Sequence, residues 1–288
     1  MMSETQITEF DLFFLSYDEP NAEKHWADLI DKAPWAKRVH GVKGFAAAHR
    51  ACAMESETDW FITVDADNIV VPGFFDISVT VSPEHRPFQC YSWNGRNMLN
   101  GLKYGNGGLK LWSKAFVMSD RIGHEVTGKS VDFCWDQDYQ QINQTFSEVW
   151  PNASSYQAFR AGFREGVKLT LDRGERVEAR LMKEKLHPIN LRNLKIWCSV
   201  GCDIENGDWA NYGALLGWSK MLDPNFDHTI VSDFQAFETI WLDAERTFDY
   251  FVRLKNLRYD IRGATGIELP ELDDAASEFF RETFTVDN

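Results

Sequence analysis

The chain has 288 residues, with 30 Lys and Arg against 44 Asp and Glu and a formal net charge of −14. That length holds one large α/β domain with additions or two small domains, and 44% apolar residues with 11 tryptophans give a core too large for a disordered chain. The acidity disfavours a general nucleic-acid or anionic-membrane surface, and no stretch approaches the ~18–20 consecutive apolar residues of a membrane-spanning helix. The opening "MMSETQITEFDLFFLSYDEP" lacks a basic start and a long apolar run, so it is not expected to act as a signal peptide. Cys52, Cys90, Cys134, Cys198 and Cys202 are odd in number and lack zinc-site spacing; incidental thiols in a reducing cytoplasm are expected. One segment departs from the average charge. Arg160 to Lys195 carries ten Lys and Arg against five Asp and Glu, which leaves −19 for the rest of the chain.

Taken in chain order, "DLFFLSYDEP" reads as a strand over Phe13 to Ser16, ended by Asp-Glu-Pro. "NAEKHWADLIDKAPWA" reads as a helix stopped by Pro34. "KRVHGVKG" is a short strand or loop, "FAAAHRACAMES" a helix and "WFITVDADN" a second strong strand. This alternation predicts a doubly wound, mostly parallel sheet. "VVPGFFDISVTVSPEHRPFQCYSWNGRN" reads as loop, strand and turn, and "GLKYGNGGLKLWSKAFVMS" as a glycine-rich stretch followed by an amphipathic one. "SSYQAFRAGFREGVKLTLDRG" is a helix with Tyr156, Phe159, Phe163, Val167 and Leu171 recurring at steps of three and four. The rest reads mostly helical, giving an α/β core over 1–150 and a helical addition over 151–288.

The chemistry gathers at "FITVDADNIV". Side chains alternate along a strand, so Asp65 and Asp67 share the face of Phe61 and Thr63, while Ile62, Val64 and Ala66 take the other. Ligands of a doubly wound sheet bind beyond the carboxyl ends of its strands. Two carboxylates held together there oppose each other's ionisation unless a cation intervenes. Mg²⁺ or Mn²⁺ suits such a pair together with phosphate oxygens and water, and would carry a diphosphate as it leaves. The plain alternative is that Asp65, Asp67 and Asn68 form a turn.

"VKGFAAAHRACAMESETDWFITVDADNIV" resembles the core of GT-A fold glycosyltransferases, in which a helix with a basic or amide-bearing start precedes the Asp-x-Asp strand. The resemblance covers about residues 10–140. "YDEPNAEKHWADL", "WAKRVHGVKG" and "AFRAGFREGVKL" are similar to glycosyltransferase-like proteins of tailed phages, some of which decorate hydroxymethylcytosine in DNA. The resemblance implies a nucleotide-sugar donor, Mn²⁺ or Mg²⁺, a host-cytoplasmic setting without membrane, and duplex DNA as one candidate acceptor. It places Ser16 and Asp18 at the base and ribose, Lys43 and His49 at phosphate, Asp65 at the ribose or metal, and Asp67 at the metal. His49 departs from the Arg or Asn more usual nearby. Asp136 in "FCWDQDYQQ", at the expected start of a helix, is the implied general base, with Asp138 its neighbour and rival. His187 is implied as a third metal ligand, with His124 as its rival.

Two further stretches bear on binding. "KYGNGGLKLW" and "TGKS" both lack the spacing of a phosphate-binding P-loop; Gly105, Gly107 and Gly108 read as a loop that lets sugar or acceptor near the backbone, or as a simple turn. Arg160, Arg164 and Lys168 recur at i, i+4 and i+8, a basic stripe that could meet either the donor diphosphate or the phosphates of a nucleic acid. Competing readings are a saccharide or small-molecule acceptor, a haloacid-dehalogenase-type phosphatase and a non-catalytic binding protein. The phosphatase motif is usually followed by Thr or Gly-Thr rather than Asn68-Ile69, and normally opens the first core strand, whereas here a strand–helix unit precedes it.

Overall fold

Alternating apolar residues on short strands set the architecture. The computed structural model describes residues 3–81, 89–105, 108–122, 138–246 and 250–283. It begins with β1 (Ser3–Gln6), β2 (Asp11–Ser16), α1 (Ala22–Lys32), β3 (Lys37–His40), α2 (Phe45–Glu55) and β4 (Trp60–Asp65). The expected strand–helix–strand–helix–strand run is present, and β2 pairs in parallel with both β3 and β4. Leu12, Phe14, Ile62 and Val64 enter one apolar cluster, whereas Phe13, Leu15 and Phe61 enter the cluster on the other face. Strands buried on both faces read as near-continuous apolar runs, as β2 and β4 do.

The rest of the sheet comes from β5 (Asn68–Val70), β7 (Cys90–Asn97), β8 (Lys103–Tyr104), β9 (Leu109–Ser113) and β10 (Tyr139–Val149); β6 (Ser78–Val81) pairs with β1 in a separate two-stranded sheet. The strand order is β3-β2-β4-β9-β7-β10-β5, with β8 also on β7. The expectation of a mostly parallel sheet holds in part: β3, β2, β4, β7 and β10 run in one direction, and β9 and β5 run against them. β9 runs antiparallel to both β4 and β7, and β5 antiparallel to β10, so the sheet is mixed α/β. The short β7–β8 connection, with Gly101 at a φ of 75°, permits only antiparallel pairing and reverses the chain before β9.

The helix expected to follow Asp136 is also corrected, because Tyr139–Val149 is an 11-residue strand. Its sequence, YQQINQTFSEV, hides the strand behind amides. Those amides bond across the sheet: Gln89 Nε2 donates to Gln140 Oε1 at 3.2 Å, and Gln141 Nε2 to Asn94 Oδ1 at 2.8 Å.

From Ser155 the chain is mainly helical. The Ser155–Lys168 helix ends three residues before Leu171, which instead starts a tiny hairpin turning at Arg173 and Gly174, both with positive φ. This helix packs against Gly207–Met221 with the two backbones nearly touching. A Cβ at Gly162 would lie 1.9 Å from the Ala210 carbonyl oxygen, and one at Gly213 would lie 2.1 Å from that of Phe159. Gly→Ala in a helix ordinarily gains about 1 kcal/mol from propensity. Gly213→Ala is nevertheless expected to destabilise by about 1–3 kcal/mol, since rigid backbone must move. Denaturant unfolding checks the sign; a stabilised variant would contradict this close approach.

The helical core includes Leu99, Leu102 and Tyr104 from the β7–β8 region, so the helices are built around a piece of the sheet. The Asp274–Thr283 helix closes on the same region, with Arg281 paired to Asp203 at 2.7 Å. Among the described residues no helix is long and apolar enough to cross a membrane.

Candidate functional site

Strand β4 ends at Asp65, the chain turns through Ala66 and Asp67, and β5 starts at Asn68. The backbone of this turn is pinned from three directions. The Asp65 amide donates to the Gly108 carbonyl at 2.8 Å, the His25 ring donates from Nδ1 to the Ala66 carbonyl at 2.8 Å, and the Trp150 amide donates to the Asp67 carbonyl at 2.7 Å. Asn68, 2% exposed, donates from Nδ2 to the Asp67 carboxylate at 2.7 Å. Both carboxylates are half-buried at the carboxyl end of a parallel strand pair.

Three cations and one further acid, Glu19, act on this pair. Lys110 is 6% exposed on β9, in register with Thr63 and hence on the face of Asp65. Arg160 and Arg164 approach from the Ser155–Lys168 helix, Arg160 acting on Asp67 and Arg164 on Asp65. Burial is the main force raising the Asp65 carboxyl, to about 7; Lys110 opposes it, Asp67 and Glu19 add to it, and Arg164 opposes it. Burial also raises Asp67, against the Asn68 hydrogen bond and the charges of Arg160 and Lys110. Burial and Arg164 lower Arg160, while Tyr156, Asp18 and Glu19 favour its charged form.

This arrangement has a consequence for stability. A carboxyl raised on folding binds its proton more tightly in the folded chain, so stability falls as pH rises from the ordinary aspartate range to about 7. Asp65→Asn keeps the uncharged shape at every pH. Without divalent cations, the variant is expected to melt above the wild type at about pH 8, with the margin closing at about pH 4. Thermal unfolding across pH measures that margin; one independent of pH would contradict the assignment.

The other sequence-derived candidates fall in several places. Asp18 is exposed in the loop after β2 and acts electrostatically on both Tyr156 and Arg160. Ser16 is 6% exposed, and its hydroxyl bonds Arg38 Nε at 2.9 Å and His40 Nδ1 at 3.0 Å. Lys43 is exposed just before α2, whose N-cap, Gly44, offers no side-chain cap. His49 is 3% exposed between Phe45 and Trp112, its Nδ1 bonded to the Phe45 carbonyl at 2.9 Å. That buried position places it in the core beneath α2. His187 is exposed and caps the Pro188–Trp197 helix through Nδ1, bonded to the Ile189 amide. Asp138 is ion-paired with Arg121. Asp136, His124 and Gly107 lie outside the described residues.

The basic stripe divides. Arg160 and Arg164 act electrostatically on the aspartates, whereas Lys168 pairs with Glu165 at 3.5 Å, which itself accepts from the Tyr104 hydroxyl at 2.7 Å. Gly105 and Gly108 give close approach to the protein's own amides. A Cβ at Gly108 would strike Asn68 at 1.8 Å, and one at Gly105 would strike Gln141 at 2.1 Å. Lys110 and Glu19 escaped the sequence reading, and Asn68 entered it only as a turn residue, although a lysine between two leucines in "LKLW" is a legible oddity.

Among the described residues no three His, Cys, Asp or Glu side chains come together as a metal-binding group. A two-carboxylate site still fits Mg²⁺ or Mn²⁺, which take one or two carboxylates and complete their shell with water and phosphate. The donor set is all hard oxygen, and both carboxyls are raised by burial, the condition a cation relieves. No protein-family model matches the sequence, and no curated protein matches it.

Proposed function

We propose that the chain is a metal-dependent glycosyltransferase of GT-A type, moving a sugar from a nucleotide-sugar donor to a hydroxyl acceptor. The observation that carries this reading is the pair Asp65 and Asp67 at the carboxyl end of β4, within electrostatic reach of Lys110, Arg160 and Arg164. Asp18, Glu19, Asp65 and Asp67 outnumber these three cations by one charge when all are ionised. A donor diphosphate alone would deepen that deficit, and a diphosphate arriving with a divalent cation would not. Donor and cation are therefore expected to bind together.

In this reading Asp65 and Asp67 would hold the cation, which would supply positive charge to balance the diphosphate. Arg160 and Arg164 face the phosphate oxygens and stabilise the charge that grows as the bond from the anomeric carbon to the leaving oxygen breaks. Asn68 fixes the Asp67 carboxylate, and the pinned turn keeps both acids in place. The resemblance, not geometry, assigns removal of the acceptor proton to Asp136.

Hydroxymethylcytosine in duplex DNA is the first acceptor to test. A saccharide or small-molecule acceptor is favoured by one observation: two of the three stripe residues serve the acid turn, which removes much of the case for a DNA-binding face. Mass spectrometry of nucleosides after incubating hydroxymethylcytosine DNA with the protein, Mn²⁺ and a panel of nucleotide sugars decides between them. A hexose or pentose mass added to the nucleoside supports DNA. Release of free sugar and nucleoside diphosphate with unmodified DNA supports the other acceptors. No donor turnover with any acceptor, and none by hydrolysis, overturns the enzyme reading.

A further inference from the structure

The Ser155–Lys168 helix carries more than arginines toward the cleft. Tyr156, Arg160 and Arg164 stand at i, i+4 and i+8, so they line one helical face at intervals of about 6 Å along the axis. The face begins near the acid turn, because Trp150, bonded to the Asp67 carbonyl, precedes the Ser154 N-cap by one short turn. Tyr156 is half-buried. Its ring is braced edge-to-face against Trp241 at 5.4 Å and tilted against Phe237 at 6.2 Å. Its hydroxyl is bonded to Arg160, and Asp18 lies within electrostatic reach of both.

We infer that Tyr156 is the specificity-determining platform for the nucleobase of a nucleoside diphosphate whose phosphates lie along Arg160 and Arg164. The inference rests on the nucleotide-sugar reading. The order along the helix face is a braced aromatic ring, a guanidinium and a second guanidinium, with the carboxylates opposite. A nucleoside diphosphate presents a flat base and then two phosphates in the same sequence. A ring already held by Trp241 and Phe237 gives up little freedom when a base stacks on it, so stacking there gains affinity at low entropic cost. Asp18, exposed beside Tyr156, is placed to accept from ribose hydroxyls lying between base and phosphates.

The test is calorimetric titration in Mn²⁺ with a set of nucleoside diphosphates and with inorganic pyrophosphate, on wild type, Tyr156→Leu and Tyr156→Phe. Leu keeps apolar bulk against Trp241 and loses the aromatic face. Phe keeps the face and loses the bond to Arg160. The wild type is expected to bind at least one nucleoside diphosphate roughly tenfold or more tightly than pyrophosphate, the scale of one base–aromatic stack. Tyr156→Leu should lose most of that preference with pyrophosphate affinity unchanged, and Tyr156→Phe should keep it. Equal loss for both ligands in Tyr156→Leu would make the tyrosine a support for Arg160 only and overturn the inference. A wild type that binds nucleoside diphosphates with a preference Tyr156→Leu does not alter also overturns it, leaving the donor reading intact. Binding of neither ligand by the wild type overturns both.

Discussion

Asp67→Ala is expected to lower turnover of the nucleotide sugar by at least roughly 10²–10³-fold, the loss typical of removing one preorganised charge-stabilising group. The substitution removes the proposed cation ligand and leaves the Asn68 amide, 2% exposed, without its carboxylate partner. Donor affinity in Mn²⁺ should fall with turnover, because in this account Asp67 would hold the cation that balances the diphosphate charge. Release of nucleoside diphosphate under steady-state conditions reads the effect. Full activity would make Asp67 a turn residue and nothing more. Asp67→Asn is the companion variant: it keeps size and hydrogen-bonding capacity and should fail nearly as badly, which separates lost charge from lost shape.

Arg160→Ala combined with Arg164→Ala is the second large effect. Both guanidiniums are assigned to charge that develops on the leaving diphosphate, so kcat should fall roughly 10²–10³-fold. Donor affinity should drop as well, since Asp65 and Asp67 lose two of the three cations that favour their ionised forms. The same pair distinguishes the two anions a basic stripe could meet. If the arginines contacted duplex DNA, affinity for DNA would fall and its log–log salt slope would flatten by about 0.9 per lost contact. Unchanged DNA binding with impaired donor binding is the expected pattern. Lys168→Ala should leave donor binding unaffected, because Lys168 is engaged by Glu165.

Much of the fold's first third was legible in the sequence for a simple reason. Strands β2 and β4 are nearly uninterrupted apolar runs, and period-two alternation assigned Asp65 to the face of Phe61 and Thr63, where the structure puts it. Helix α1 was legible up to the Pro34 that stops it, and α2 from Phe45, Ala48 and Cys52 recurring on one face. The strand Tyr139–Val149 was not, because its cross-sheet side-chain hydrogen bonds are made by Gln and Asn amides that score as polar. Mixed pairing was hidden as well, since nothing local in "LKLWS" says that it will run antiparallel between two other strands.

The site was half legible. An Asp-x-Asp at a strand end announces itself. The position of Arg160 and Arg164 beside it depends on a helix some 95 residues later, on a register set by the close Gly162, Gly166, Gly213 and Gly217 contacts. His49 and Ser16 illustrate the opposite limit. Each has a side chain chemically fit for a ligand, and only tertiary structure shows that Phe45, Trp112, Arg38 and His40 already surround them.

The most direct test of the central claim is calorimetric titration of nucleotide sugar into the wild-type protein, once with Mn²⁺ and once with EDTA. The account predicts saturable binding in Mn²⁺ that is lost or strongly weakened in EDTA, and that is absent in Asp67→Ala under both conditions. Donor affinity equal in Mn²⁺ and EDTA, and retained by Asp67→Ala, would contradict a cation-bridged donor site at Asp65 and Asp67.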